Sequence, residues 1–206
     1  MKLSEQKEYK EIMLKYSFAK KILETEIDIL LQEYEFNNGY NPVEHTKSRL
    51  KDLNSAIKKL EKKGYIINMD NLIRQVHDMI GVRIVCSFLS DVYDIVNIIK
   101  SSKQFIIKEE CDYIKNPKDS GYTSYHLNIL VPIHLKERTE YVEAEIQIRT
   151  IAMDCWASLD HKLSYKLPKK IPDSLKKQML SCSSEMRLLD KKMQVLYEEV
   201  KEFKSS

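Results

Sequence analysis

The stretch Tyr141-Val142-Glu143-Ala144-Glu145-Ile146-Gln147-Ile148-Arg149 decides the fold. Side chains on a strand alternate between the two faces. Here one face carries Tyr141, Glu143, Glu145, Gln147 and Arg149, and the other carries Val142, Ala144, Ile146 and Ile148. An ordinary half-exposed strand shows such alternation too. Less ordinary is a line of two carboxylates, an amide and an arginine, which offers a divalent cation two acceptors, a selective hydrogen-bonder and an anion binder.

Outward from this strand, Gly81-Val-Arg-Ile-Val-Cys-Ser-Phe-Leu89 is rich in β-branched residues and reads as a second strand. Residues 105–113 and 124–133 read as two more. Asp91 to Ser101 reads as a helix with Val92, Ile95, Val96 and Ile99 on one face. Before the sheet, residues 4–36 repeat apolar positions at three- and four-residue steps and predict a long helix. A break at 37–42 and a second helix over 43–63, capped by Gly64, are expected to follow. After the sheet, helices are expected over 150–166 and 172–203. The reading is an α/β (α+β) fold: a mixed sheet of about five strands flanked by helices, with a core over 40–167 and helical arms at 4–36 and 172–203, in a single domain spanning 1–206.

In the last helix Leu175, Met179, Cys182, Met186, Leu189, Met193, Leu196, Val200 and Phe203 alternate steps of four and three. That is a heptad seam. It fits a helix packed on its own domain and it fits a subunit interface; the narrowness of the stripe favours the interface.

Composition narrows the function. The chain has 206 residues, 43% of them hydrophobic and 32% charged, with a net charge of +3. That is enough apolar material for a core, and the total charge does not imply nonspecific nucleic-acid binding. The four glycines, Gly39, Gly64, Gly81 and Gly121, are too scattered for a dinucleotide fingerprint or a P-loop. The four cysteines form no C-x-x-C pair, and the opening MKLSEQKEYKEIMLKY has no apolar signal region. Reduced thiols, a cytoplasmic location and no membrane span are expected.

Three further segments carry candidate chemistry. Asp78-Met-Ile-Gly-Val-Arg83 sets an acid before a strand and an arginine on it, although the two residues could simply pair. His77-Asp78 also suggests a metal phosphohydrolase, but the surroundings are strand-rich and lack the further helical ligands such a site needs. Asn116 to His126 is a turn-rich loop with Lys118, Tyr122 and His126, where a tyrosine could stack on a purine or pack on the sheet edge. Residues 47–63 hold Lys47, Arg49, Lys51, Lys58, Lys59, Lys62 and Lys63 against Asp52 and Glu61. That run is either a solvated helix face or a polyphosphate or RNA site.

As a set, V-E-H-T-K-S-R-L-K, S-A-I-K-K-L, D-M-I-G-V-R, S-G-Y-T-S-Y-H, E-I-Q-I-R-T and W-A-S-L-D-H-K-L-S-Y-K resemble the RelA/SpoT synthetase domain in order and spacing. The length resembles the small alarmone synthetases. The resemblance implies a nucleotidyltransferase-like fold and a GTP pyrophosphokinase of the stringent response. Such an enzyme moves the β,γ-diphosphate of ATP to the 3′-hydroxyl of GDP or GTP, giving ppGpp or pppGpp and AMP. It implies Mg²⁺ on Asp78 and Glu145, with Glu145 also the candidate base. It places Arg49, Lys59 and Arg83 around ATP, and Tyr122, His126, Gln147 and Lys118 on the acceptor side, with the Tyr122 ring stacked on guanine. It also implies a homotetramer built on the flanking helices, with an alarmone or RNA effector; the segment of His45 and Lys47 corresponds to where some small synthetases bind an allosteric alarmone. Thr123 stands where long members carry arginine, and Asp154 where relatives often have asparagine or histidine, so the preferred acceptor stays open. An RNA-binding or nucleotide-binding regulatory module on the same fold is the alternative. It would use the basic segment without requiring Asp78 and Glu145. A paired-acid nucleotidyltransferase motif is absent.

Overall fold

In a computed structural model of the chain, which describes residues 3–166 and 171–205, the stretch quoted above lies in a strand at the centre of a five-stranded sheet. The strands are β1 (Val43–Leu50), β2 (Ile80–Cys86), β3 (Ile106–Asp112), β4 (Tyr125–His134) and β5 (Thr139–Thr150), in the order β1-β2-β5-β4-β3. Every pairing is antiparallel except β2 with β5, so the sheet is mixed.

One face of the sheet is apolar and covered. Val82 and Ile84 of β2, Leu127 and Ile129 of β4, and Ala144, Ile146 and Ile148 of β5 are all buried. Against them pack α1 (Leu3–Asn38), through Tyr16, Ala19, Leu23 and Ile27, and α4 (Leu89–Ser101), through Val92, Ile95, Val96 and Ile99. The steps of three and four that predict these helices are the steps by which they meet the sheet. The opposite face keeps Glu143, Glu145 and Gln147 of β5 half exposed, with Arg149 buried at its end, and becomes the site.

The second helix expected over 43–63 is corrected. Residues 43–50 are strand β1, and the helix is only α2 (Leu53–Lys62). Asp52 is its N-cap, accepting from the Ser55 N–H at 2.9 Å, and the helical period starts with Leu53, Ala56 and Leu60 rather than at Val43. Its end matches the expectation. Gly64, at φ +74°, donates to the Glu61 carbonyl while Tyr65 donates to that of Leu60, a Schellman closure that needs the left-handed residue. His45, Lys47 and Arg49 therefore stand on a strand, and the basic run of 47–63 is divided between β1 and α2. A short helix, α3 (Met69–Gln75), intervenes before β2 and was not expected.

Beyond the sheet lie α5 (Ile151–Lys166) and α6 (Asp173–Ser205), which pack on each other. The end of the expected core, residue 167, lies outside the described residues. The face that α6 turns to the domain carries Ser183 and Asp190, both buried, rather than the heptad seam. Of the seam, Leu189 is 50% exposed, Leu196 60%, Val200 52% and Phe203 88%. All four cysteines are free, and no described helix is long and apolar enough to cross a membrane.

Candidate active site

Strand register places the polar residues in two rungs across the open face. Arg49, Gly81, Glu145 and Asn128 form one, and Lys47, Arg83, Gln147 and His126 form the next. Adjacent strands are about 4.8 Å apart, so each rung gathers residues from four strands within about 15 Å. Gly81 matters for this packing: the position of its absent Cβ lies 3.8 Å from the Arg49 Cγ and Nε, so the Arg49 side chain lies over the sheet beside Glu145.

Five side chains close a hydrogen-bonded ring. Arg149 Nη2 donates to the Tyr122 hydroxyl at 2.5 Å and to Gln147 Oε1 at 2.6 Å. Gln147 Nε2 donates to Glu145 Oε2 at 2.5 Å. His126 lies 3.2 Å from Glu145 through Nδ1 and 2.8 Å from the Tyr122 hydroxyl through Nε2. A carboxylate only accepts, so His126 Nδ1 carries the proton; Nε2 then accepts from Tyr122, whose oxygen accepts from Arg149. Burial pushes the Glu145 carboxyl up, but the contacts from His126 and Gln147 outweigh it and hold it below the usual glutamate range. The charge of Asp78 acts on Glu145 in the opposite sense, a sign that the two carboxylates are neighbours.

Asp78 sits in the turn before β2, where Lys51 and Lys59 both grip it, Lys59 at 2.7 Å. Burial pushes its carboxyl up; the two lysines bring it below the ordinary aspartate range. Arg83 pairs with Asp154 of α5 at 3.0 Å, and the same Asp154 oxygen takes Arg149 Nη1 at 3.2 Å. Asp154 thus ties the two arginines of adjacent strands together. The loop supplies a small aromatic box: Lys118 Nζ stands 4.3 Å from the Tyr113 ring centroid and 5.1 Å from that of Tyr122, with His126 edge-on to Tyr113 at 5.1 Å. Gly121, at φ +79°, brings this loop against α6. A Cβ there would stand 2.3 Å from Ser183 Oγ, which instead donates to the Gly121 carbonyl at 2.6 Å.

Of the sequence-derived candidates, Glu145, Arg49, Arg83, His126 and Gln147 lie on this face, Tyr122, Lys118 and Asp78 on the loop and turn that border it, and Lys59 on α2, from which it reaches Asp78. Glu143, two residues from Glu145 on the same face, is outside the ring: His77 Nδ1 holds it at 2.9 Å and Lys108 at 3.1 Å. His77 is therefore turned to Glu143, and the phosphohydrolase reading of His77-Asp78 finds no ligand set. Sequence reasoning gave Lys51 no role, read Arg149 only as an anion binder and named Asp154 only as a departure bearing on the acceptor; Lys51 and Arg149 stand within the quoted motifs, and Asp154 stands between two of them.

Among the described residues no group of three or more His, Cys, Asp or Glu side chains forms a metal cage. Asp78 stands three residues before Gly81, the register partner of Glu145, so the two carboxylates share one end of the face. That donor set suits Mg²⁺, which takes one or two protein carboxylates and completes its shell with phosphate oxygens and water.

The family model described as a region found in RelA/SpoT proteins matches residues 48–170. The GTP pyrophosphokinase YwaC of Bacillus subtilis is 46% identical over 94% of this chain and 92% of its own length. The crystal structure of small alarmone synthetase 2 from the same organism superposes with a TM-score of 0.82 at 46% identity, covering 93% of this chain and 98% of that one. Small alarmone synthetase 1, bound to its product pppGpp, gives 0.83 at 30% identity over 95% and 99%. A structure of it bound to AMPCPP gives 0.77 at 29% identity over 95% and 99%. With the family model covering strands β2 to β5, the ring and the Asp78 turn, and relatives matching almost end to end, the chain belongs to the RelA/SpoT family.

Proposed function

We propose that the protein is a GTP pyrophosphokinase of the small alarmone synthetase type, acting in the cytoplasm. The observation that carries the reading is the closed ring centred on Glu145, set beside the lysine-gripped Asp78, on a sheet face of the family's fold. A relative bound to pppGpp and to AMPCPP supports nucleotides on both sides of the reaction.

In the transfer, the 3′-oxygen of GDP or GTP attacks the β-phosphorus of ATP. The bond from that phosphorus to the α–β bridging oxygen breaks, and AMP leaves with the bridging oxygen. The hydroxyl proton goes to Glu145 and then to solvent. Such a reaction asks the protein for alignment and charge neutralisation more than for covalent chemistry. The residues divide accordingly. Arg49, Arg83 and Lys59, on β1, β2 and α2, face the donor. Lys51, freed from Asp78, joins them on the phosphates. Tyr122, Lys118, His126 and Gln147 hold the acceptor, with the guanine on the Tyr122 ring. Glu145 lies on β5 between the halves. Its low proton affinity suits an acceptor that takes the proton late, once phosphorus–oxygen bonding has acidified the hydroxyl.

Asp78 and Glu145 are the residues that would hold Mg²⁺. Held there, the ion would supply neutralisation of the phosphate charge. The half-exposed seam of α6 and the exposed apolar positions of α1 support a homotetramer on the helical arms. The catalytic core is residues 40–167 with arms 4–36 and 172–203.

Thin-layer chromatography of labelled ATP with GDP tests the activity. A new slow-migrating product with AMP is expected. Release of pyrophosphate would point to a nucleotidyl transfer, and RNA retention without turnover would favour the binding module.

A further inference from the structure

The open face carries a second acid, Glu143, that the transfer does not use. It stands two residues before Glu145 on β5, so the two carboxylates rise from the same face about 6.6 Å apart along the strand. Its side chain is 16% exposed and has two partners. Lys108, at the register shift of β3, reaches both of its oxygens at 3.1 Å. His77 Nδ1 meets its Oε2 at 2.9 Å. A carboxylate only accepts, so His77 Nδ1 donates.

The neighbour of His77 gives this contact its consequence. Asp78 is the next residue, in the same turn. Lys51 and Lys59 draw Asp78 towards β1 and α2. The backbone bond from the Lys51 N–H to the Met79 carbonyl, at 2.8 Å, holds the turn to that same side. Among the described residues, the side-chain hydrogen bond that ties the turn to β5, the strand of Glu145, is that of His77 with Glu143. The turn of the free protein is thus held from both sides. A bound triphosphate competes with Asp78 for the two lysines, and once they turn to it their hold on Asp78 is gone. His77 and Glu143 take no part in phosphate binding, so their link stays.

We propose that Glu143 is a positioning residue: through His77 it holds the turn, and with it Asp78, against β5 while the lysines serve the phosphates, so that Asp78 and Glu145 stay within reach of one ion. It touches neither substrate nor ion. The inference rests on the pyrophosphokinase reading above and deepens it, by naming what keeps the two carboxylates together in the loaded site.

Hydrogen exchange of the turn, residues 76–80, reads this tether without turnover and without metal. In the free protein Glu143→Ala should change it less than twofold, because the lysines still hold Asp78. At saturating AMPCPP with no divalent ion present, the same variant should exchange at least tenfold faster than wild type. His77→Ala should do likewise, and the double variant no more than either single one, as expected of two residues that form one link. His77 is 38% exposed and serves as the second variant should Glu143→Ala fold poorly. Glu143→Gln, whose amide oxygen still accepts from His77, should match wild type, and so should Lys108→Ala, which leaves the tether in place. Mn²⁺ binding to the AMPCPP complex, followed by electron paramagnetic resonance, should weaken at least tenfold in Glu143→Ala and recover in Glu143→Gln. Wild-type exchange in Glu143→Ala and His77→Ala with AMPCPP bound, or equal acceleration in Lys108→Ala, would overturn the tether. Accelerated exchange in Glu143→Ala alongside a wild type that binds no Mn²⁺ would support the tether and fail the metal-dependent activity instead.

Discussion

Replacing Tyr122 with phenylalanine separates the two uses of this residue. The ring, beside Lys118 and Arg149, is the surface on which guanine would stack, and Phe keeps it. The hydroxyl is a link in the ring of side chains, accepting from Arg149 and donating to His126. A buried hydrogen bond to a charged group contributes about 1.5–3 kcal/mol. Arg149 keeps Gln147, Asp154 and Ser124 as partners, so the net loss should fall near the lower end, about 1–2 kcal/mol. At about 1.4 kcal/mol per factor of ten, Tyr122→Phe should lower kcat by roughly 5- to 30-fold through misplacement of His126 and Glu145. Its KM for GDP should change little. Tyr122→Ala loses the same hydroxyl and also a stacking contact of ~1–3 kcal/mol, which should raise the KM for GDP by a further tenfold to hundredfold. Steady-state AMP release with GDP varied at saturating ATP gives both constants. A Phe variant within twofold of wild type in kcat would refute the ring as a catalytic device; a Phe variant as poor as Ala in KM would refute the stacking role.

Asp78→Asn should lower activity at least a hundredfold and be partly rescued by Mn²⁺, measured as AMP release across a metal titration. Asp190→Asn is a stability prediction. Burial raises the Asp190 carboxyl from 3.8 to about 6, so its favourable contribution is complete below pH 3.8 and lost as pH rises through about 6. The neutral amide should therefore stabilise the protein above pH 6, by at most about 3 kcal/mol, with the advantage fading towards pH 4 in thermal melts. Replacing Leu189 and Met193 with lysine should reduce the mass in light scattering from that of a tetramer towards a single chain, because a buried apolar seam cannot solvate the charges. A wild-type mass equal to one chain would rule the tetramer out.

The sequence was most legible where burial leaves a period. The alternation over 141–148 and the face of Val92, Ile95, Val96 and Ile99 became buried and open sides as read, while Arg149, on the polar side, is buried. Strand β1 was not legible because it is an edge strand polar on both faces: Ser48 meets Glu24 of α1, while Lys47 and Arg49 stand on the site face. Its charges count as a basic run, and a count has no period. The same holds for α6. Much of its apolar seam looks outward, whereas the contacts that fix it to the domain include two polar ones, Ser183 to Gly121 and Asp190 to Thr150, and the stacking of Tyr197, which is outside the seam, on Phe88; a heptad pattern is blind to all three. In the site, the motif residues were identified one by one, but the closure of the ring was not. It depends on pairings 19 to 27 positions apart in the chain, from His126 to Glu145 and from Tyr122 to Arg149, which only strand register brings together.

Diphosphate transfer centred on Glu145 is read most directly from the fate of the phosphates of ATP. ATP labelled in the γ-phosphate and ATP labelled in the α-phosphate, each incubated with GDP and the wild-type or Glu145→Gln protein, test it in one experiment. The wild type should move the γ-label into the guanine product and leave the α-label in AMP, in equal amounts. Glu145→Gln should lose at least a hundredfold in both, since a base alone contributes ~10²–10⁴-fold. Transfer of the α-label to the product, or full activity in Glu145→Gln, would contradict the account.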